Sequence, residues 1–74
     1  MTITVKLFAT LRENREKIFP LELGANATPT DVCSILDIPI DTVAIIMVNG
    51  RSVQNDTPLN DSDVLALFPP VGGG

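Results

Sequence analysis

The chain has 74 residues, 45% of them hydrophobic, and a formal net charge of −4 at pH 7. This length allows one domain with a small core, and the hydrophobic fraction argues against a disordered chain. The negative charge argues against a nucleic-acid binder, which needs a basic face to displace counterions, and is compatible with docking onto a basic partner protein.

Residue types that are absent or rare exclude several kinds of site. The chain has no histidine, which excludes a Ser-His-Asp triad and a histidine-ligated metal site, and we expect no metal. The single cysteine, Cys33, excludes an internal disulfide, a CxxC redox pair and a four-cysteine cluster, and suits a reducing cytoplasm. No apolar run approaches the roughly 20 residues of a membrane span. We therefore expect a cytoplasmic protein that contacts no membrane.

The first third of the chain predicts two strands. Hydrophobic and polar residues alternate over 2–8 and again over 17–23, which is typical of half-buried strands. Phe8 breaks the first alternation because it falls on the polar side. Pro20 cannot donate to a strand ladder, so the second strand is expected at a sheet edge. The segment 9–16 between them is predicted to be a polar loop.

A short helix is predicted next. Thr28 suits the N-cap, Pro29 the first helical position, and Asp31 the acidic position of a capping box. Pro39 is expected to end the helix after two or three turns. The residues predicted to share its core-facing side are Val32, Ile35 and Leu36.

The remainder predicts three more strands. Residues 43–48 form a continuous apolar run, and the Asn49-Gly50 dipeptide after them is the strongest short signal for a hairpin turn. Residues 51–54 are predicted as the short second arm of that hairpin. A polar segment then leads into the last strand, residues 64–68.

This order of elements predicts an α+β fold of the β-grasp, or ubiquitin-like, kind. We expect a mixed five-stranded sheet with one short helix across one face, and the first and last strands parallel at its centre. Residues 1–71 are predicted to be a single domain, and residues 72–74 a flexible glycine tail.

Three stretches carry a family likeness: "LFATLRE", "VNG" and "TPLNDSDVLALFPPVGGG". They resemble the MoaD/ThiS family of ubiquitin-like sulfur carriers, and the end of the chain resembles the small subunit of molybdopterin synthase in particular. The most specific part is "ALFPPV" followed by the terminal glycines. Ser62 stands where the family usually has glycine, and "LDIPIDTVAIIMVNG" is closer to the thiamine-pathway carriers.

The resemblance implies a chemistry at the end of the chain. An E1-like adenylyltransferase would use ATP to adenylate the carboxylate of Gly74, which follows Gly73, and a sulfurtransferase would supply sulfur to form a thiocarboxylate. The large subunit of molybdopterin synthase would use that sulfur for molybdenum or tungsten cofactor synthesis. The chain alone would be a monomer that binds no cofactor. Because it shows no catalytic side chain, we leave open whether it counts as an enzyme beyond being a sulfur-donating subunit.

The residues of the tail agree with that chemistry. Pro69 and Pro70 fix φ before the glycines, which confines the freely rotating part of the chain to its last residues. Without Cβ atoms the glycines can thread a narrow channel in a partner. From Val71 to Gly74 the extended reach is roughly 13 Å. We therefore expect the partner to contact Pro69, Pro70, Val71 and Gly72.

An exposed aromatic patch is predicted beside the tail. If Leu65 and Leu67 face the helix, Phe68 lies on the open face of the sheet, and Phe8 breaks to the same side. Such a patch is typical of a partner site. Arg12 and Arg15, in the loop after Phe8, could each contact an acidic partner or simply be solvated, and the place of Arg12 in "ATLRE" makes it the stronger candidate contact.

Other reactive residues receive structural interpretations. Cys33 is predicted to be a buried apolar filler on the flank of the helix, although a sulfur-relay thiol is the alternative. Asp61 and Asp63 are predicted to shape a polar turn instead of forming a catalytic or metal-binding pair.

Three other functions remain open from the sequence. The chain could carry sulfur for thiamine thiazole or another sulfur pathway. It could instead be a ubiquitin-like modifier that forms an amide through Gly74, or a plain β-grasp binding module with an inert tail.

Overall fold

Five strands and one α-helix build the protein in the computed structural model, which describes residues 1–70. The predictions for residues 71–74, including the end of the predicted domain and the glycine tail, lie outside the described residues. The elements are β1 (Thr2–Leu7), β2 (Ile18–Glu22), α1 (Pro29–Leu36), β3 (Ile45–Val48), β4 (Arg51–Ser52) and β5 (Val64–Phe68).

The strands form one mixed sheet in the order β2-β1-β5-β3-β4. Strands β1 and β5 are parallel neighbours at its centre, and every other pair is antiparallel. Pro20 lies on β2, an edge strand, and pairs with Thr4 of β1. The missing N–H of Pro20 therefore interrupts no ladder between central strands. The predicted β-grasp arrangement is confirmed.

The core lies between one face of the sheet and α1. Successive residues of a strand point to opposite faces, so every second residue of the two central strands, β1 and β5, points toward the core. Those with 0 to 1% of their surface exposed are Ile3, Val5, Leu7, Leu65 and Leu67. The opposite face of the sheet carries no α-helix among the described elements, and we call it the open face.

The start of α1 follows the predicted capping box. The backbone N–H of Asp31 donates to Thr28 Oγ1 at 3.3 Å, and the N–H of Thr28 donates to Asp31 Oδ2 at 2.9 Å. The helix ends at Leu36, because Asp37 takes a left-handed conformation with φ 58°. Pro39 lies two residues beyond this C-cap, and because the residue before a proline avoids the helical region, the helix ends after about two turns as predicted.

The prediction that Ile35 faces the core is wrong. Its side chain is 57% exposed, whereas Cys33 is 1% exposed. The inward stripe of α1 consists of positions spaced by three and four residues, which excludes Ile35. That stripe contains Pro29, Val32, Cys33 and the half-buried Leu36.

Two short 3-10 helices lie outside the helix and strands that the sequence predicts. One spans Ala9–Arg12 inside the predicted polar loop, and the other spans Ile40–Thr42 before β3. The first turn buries Leu11 to 5% exposure, and the N–H of Leu11 donates to the carbonyl of Phe8 at 3.1 Å. One apolar side chain thus folds an otherwise polar loop back onto the core.

A buried carboxylate joins the two turns that precede β4 and β5. Asn49 (φ 52°) and Gly50 (φ 83°) adopt the positive φ values predicted for the hairpin. Asn49 Nδ2 donates to Asp63 Oδ1 at 3.0 Å, and Asp63 Oδ2 accepts the N–H of Asn60 at 2.9 Å. The neighbouring Asp61 Oδ1 accepts the N–H of Thr2 at 2.8 Å. Asp63 thus shapes the polar turn as predicted, and Asp61, which lies in the same turn, ties it to the start of β1.

Replacement of Ser62 by glycine is expected to stabilise the fold. Ser62 has φ 69°, a left-handed conformation that costs a residue with a Cβ about 1 kcal/mol and glycine almost nothing. Ser62→Gly should therefore raise the free energy of unfolding by about 0.5–1 kcal/mol in urea titrations. Asn26→Gly is the control, because Asn26 (φ 63°) already tolerates this region and should gain less. A loss of stability in Ser62→Gly would contradict this account.

Neither membrane spans nor metal clusters occur in the part of the chain that the structure describes. No helix within residues 1–70 has the length and apolar character to cross a bilayer. The same residues contain no group of three or more His, Cys, Asp or Glu side chains placed to hold a metal ion.

Candidate functional site

The end of β5 presents an aromatic side chain on the open face. Leu65 and Leu67 are fully buried toward α1, so the alternate residues Val64, Ala66 and Phe68 face away from the helix. Phe68 is the last residue of β5, and the prolines follow it directly. The aromatic ring is therefore fixed at the root of the C-terminal segment.

Phe8 stacks on Phe68. Their ring centroids are 4.3 Å apart and the ring planes differ by 12°. The parallel pairing of β1 with β5 causes this contact, because it brings the ends of both strands to the same edge, where the N–H of Phe8 donates to the carbonyl of Leu67 at 3.2 Å. The predicted placement of both rings on one side of the sheet is confirmed. Both are half-buried, and their role in binding remains a prediction.

Arg12 belongs to the same cluster. Its Nε donates to the carbonyl oxygen of Leu7 at 2.8 Å, and its guanidinium carbon lies 5.3 Å from the ring centroid of Phe8. The 3-10 turn after β1 places the arginine there, on the ring that stacks with Phe68. An arginine held by a backbone bond and a cation–π contact presents its charge in a defined position.

Arg15 has a different place. Its Nη2 donates to the carbonyl of Asp37 at 3.2 Å, and its Nη1 lies 3.5 Å from the carbonyl oxygen of Leu11. Arg15 thus ties the loop after β1 to the end of α1, a structural role. The fold separates the two loop arginines, and of the two only Arg12, the stronger candidate from the sequence, joins the aromatic stack.

The open face carries apolar side chains from β3 beside the two aromatic rings. Strand pairing sets Ile45 opposite Phe68 and Met47 opposite Ala66. Ile45 is 42% exposed, and cross-strand neighbours on one face are close enough to form a continuous surface. The unbroken apolar run of residues 43–48 indicates this surface in the sequence, because successive residues of a strand point to opposite faces and such a run places apolar side chains on both. The open-face patch comprises Phe8, Ile45, Met47, Ala66 and Phe68.

Cys33 lies away from this patch. It is 1% exposed in the core between α1 and the sheet, on the other side from the aromatic stack. Burial raises the pKa of the Cys33 thiol, because a thiolate loses its hydration there. The predicted role as an apolar filler agrees with this environment.

The prolines are the last predicted contact residues within the described chain. Pro69 is half-buried and Pro70 is exposed, immediately beyond the aromatic stack. The remaining predicted site residues, Val71, Gly72, Gly73 and Gly74, lie outside the described residues. The structure therefore shows where the tail starts, beside the open-face patch.

Comparison with known proteins gives a family and several solved structures. The model of the ThiS family matches residues 5–74. The small archaeal modifier protein SAMP1 from Haloferax volcanii is similar, with 26% identity, full coverage of both chains and a TM-score of 0.77. A putative molybdopterin converting factor subunit 1 from Pyrococcus furiosus has 28% identity and a TM-score of 0.75, covering 96% of this chain and 99% of that chain.

A third similar structure is a complex. It contains subunits 1 and 2 of the molybdopterin-converting factor from Helicobacter pylori, and the match has 26% identity, full coverage of both chains and a TM-score of 0.68. No curated protein matches the chain.

Proposed function

The chain belongs to the ThiS family, and from this premise we propose that it donates sulfur in molybdopterin synthesis through a thiocarboxylate on Gly74. It is a ubiquitin-like sulfur carrier or modifier of the ThiS/MoaD type. We further propose the form in which it carries sulfur, a thiocarboxylate, and the pathway that receives this sulfur, molybdopterin synthesis.

One observation carries the molybdopterin assignment. The chain aligns over its full length with a molybdopterin-converting factor structure in which subunits 1 and 2 form a complex. The open-face patch supports the same assignment, since an exposed apolar surface with two aromatic rings is typical of a protein interface. The proposed partners are a large synthase subunit that takes the tail, an E1-like adenylating enzyme and a sulfurtransferase.

The proposed chemistry requires only a carboxylate from this chain. The Gly74 carboxylate attacks the α-phosphorus of ATP on the adenylating enzyme, forming an acyl-adenylate and releasing pyrophosphate. A thiol reductant releases hydrosulfide from the persulfide of the sulfurtransferase; the hydrosulfide attacks the acyl carbon, AMP leaves, and the chain then ends in a thiocarboxylate. The thiocarboxylate sulfur displaces a leaving group from an electrophilic carbon of the pterin precursor, and water hydrolyses the resulting thioester, which leaves the sulfur on the pterin and restores the Gly74 carboxylate. The folded domain supplies docking and position, which is how binding energy serves a reaction at a distant atom.

The pathway is tested by offering two acceptors to the thiocarboxylated chain. We expect sulfur transfer to a pterin precursor in the presence of the large synthase subunit encoded in the same genome, measured as the dithiolene product by mass spectrometry. No transfer is expected to the thiazole precursor with its own synthase. Transfer to the thiazole precursor alone would assign the chain to thiamine synthesis and contradict the molybdopterin proposal.

A modifier function is the second candidate, because a modifier protein is among the similar structures. In that reaction the lysine amine of a target attacks the Gly74 acyl-adenylate, and AMP leaves as the amide forms. This function predicts that proteolysed cell extracts contain peptides in which a lysine carries the C-terminal residues of this chain. Such adducts, absent from a strain whose chain lacks Gly74, would establish conjugation.

Cys33 is expected to be dispensable for sulfur transfer. Because burial raises its pKa, the thiol stays protonated at neutral pH and is a poor persulfide carrier. Cys33→Ala and Cys33→Ser should accept and donate sulfur as the parent chain does, with a stability loss of about 1 kcal/mol. The folded parent should also react with iodoacetamide more slowly than the urea-unfolded chain. Loss of transfer in a folded Cys33→Ala chain would move the sulfur from Gly74 to Cys33.

A further inference from the structure

A groove of ≈ 290 Å³ lies at the end of β1 beside the aromatic stack. Strands β1 and β2 form part of it, and their antiparallel pairing sets Lys6 opposite Ile18. The 3-10 turn after β1 contributes Arg12. The lining residues are Lys6, Leu7, Phe8, Arg12, Lys17 and Ile18.

The charge of this groove is opposite to that of the whole chain. Three of the five lysines and arginines line it, including both lysines of the sequence. No Asp or Glu side chain is among its lining residues within the described chain, although the chain carries nine acidic residues and a net charge of −4. The net charge suggests docking onto a basic protein, but at this site the local field attracts negative charge.

The groove has an ordered cation and an apolar part. Arg12 is held by its Nε bond to the carbonyl of Leu7 and by the ring of Phe8. The Nε bond does not use the two terminal amino groups, whose N–H donors can bind a carboxylate in parallel. Ile18 is 51% exposed at the same place. A ligand that satisfies both parts needs a negative charge next to an apolar side chain.

The groove is continuous with the proposed docking surface. Phe8 lines the groove and also stacks on Phe68, the last residue before the prolines of the tail. A protein that covers the open-face patch while receiving the tail therefore meets the three cations at the edge of its contact. Charges at the rim of an interface mainly increase the association rate and fix the orientation of the partner.

We propose that this groove receives an acidic segment of the protein that takes the tail, with one or more carboxylates paired to Lys6, Arg12 and Lys17 and an apolar side chain against Ile18. The identity of that protein rests on the proposed function, but the chemistry of the segment does not. A free phosphate would use the cations alone and leave the exposed isoleucine uncovered, so the apolar part of the groove favours a peptide.

The probe is a capped hexapeptide that alternates leucine with glutamate, titrated into the ¹⁵N-labelled chain. We expect amide shifts at Lys6, Phe8, Lys17 and Ile18, which report the groove directly. The same peptide with glutamine in place of glutamate should bind roughly tenfold more weakly, as should the acidic peptide at high salt. Inorganic phosphate at the same concentration should shift these amides less.

Charge-reversal variants locate the effect. Lys17→Glu, an exposed site before β2, and Lys6→Glu should each weaken the acidic peptide about tenfold. Arg51→Glu is the matched control, since it makes a cation acidic on β4, at the opposite edge of the sheet from β2, and should leave the affinity unchanged. Lys17→Glu keeps the test valid if Lys6→Glu, within β1, fails to fold.

Two results would overturn the inference. If phosphate shifts the groove amides as strongly as the acidic peptide does, the site is a small-anion site. If the acidic and glutamine peptides bind with equal affinity, the groove does not recognise carboxylates. The same conclusion follows if Arg51→Glu weakens binding of the acidic peptide as much as Lys17→Glu does. Neither result depends on sulfur chemistry, so failure here is distinct from failure of the wild-type chain to form a thiocarboxylate.

Discussion

A chain without Gly74 is expected to fold as the full chain does, but to gain no sulfur when it is incubated with its adenylating enzyme and a sulfur source. Removing one residue retracts the carboxylate by about 3.3–3.6 Å when the tail is extended. A misplacement of about 1 Å can already cost a hundredfold in rate, so activation should become undetectable. Intact-mass analysis after incubation with the enzyme, ATP and a sulfur source measures this, with the urea midpoint as the check on folding.

Two further variants define that result. One extra residue after Gly74 moves the carboxylate outward by the same distance and should abolish activation equally. Gly24→Ala serves as control, because a Cβ at Gly24 meets no atom within 4 Å and this glycine lies outside the tail. A sulfur-for-oxygen mass change on the chain lacking Gly74 would refute the fixed-reach requirement.

Loss of either ring of the aromatic stack is expected to weaken partner binding about thirtyfold. Phe8 and Phe68 are half-buried rings in mutual contact, and aromatic anchors of this kind commonly contribute 2 kcal/mol or more to an interface. Phe68→Ala and Phe8→Asp should raise the Kd for the large synthase subunit and the adenylating enzyme, measured by titration calorimetry. The free energy of unfolding should fall by only about 1 kcal/mol, the contribution of one aromatic pair.

The third phenylalanine provides the matched control. Phe19 packs against the core from β2, on the side of the sheet opposite to the stack. Phe19→Ala should destabilise the fold while the folded fraction keeps its partner affinity. If Phe68→Ala shows the same behaviour, with stability lost and affinity kept, Phe68 is a core residue and the open-face patch is not the docking surface.

The elements that could be predicted from sequence are those specified by local signals. Such signals are the two alternating segments, the capping box at Thr28 and the Asn49-Gly50 turn. Each strongly favours one local conformation, and the structure has that conformation. The prediction for Ile35 is wrong because three apolar residues on a short helix fit two neighbouring stripes, and the exposed side chain of Ile35 lies on the other one. The sheet selects the stripe that contains the small Cys33. The 3-10 turn at Ala9–Arg12 depends on the burial of Leu11. This burial is a tertiary contact, so the polar composition of the segment could not predict the turn.

The candidate site was predictable only in part for the same reason. The break in alternation at Phe8 and the position of Phe68 were visible in the sequence, and parallel pairing of β1 with β5 turns them into one stack. Contacts that depend on strand register were not visible. The pairings that set Ile45 beside Phe68 and Lys6 beside Ile18 join segments that are distant in sequence. The groove and most of the open-face patch could therefore be identified only from the folded structure.

The central claim, that sulfur travels on the C-terminal carboxylate, is tested most directly by one measurement on the wild-type chain. After incubation with its adenylating enzyme, ATP and a sulfurtransferase, the intact chain is fragmented in the mass spectrometer. We predict the replacement of one oxygen by one sulfur, confined to fragments that contain Gly74. Sulfur found on fragments that contain Cys33, or an unchanged mass under conditions in which the adenylate forms, would contradict it.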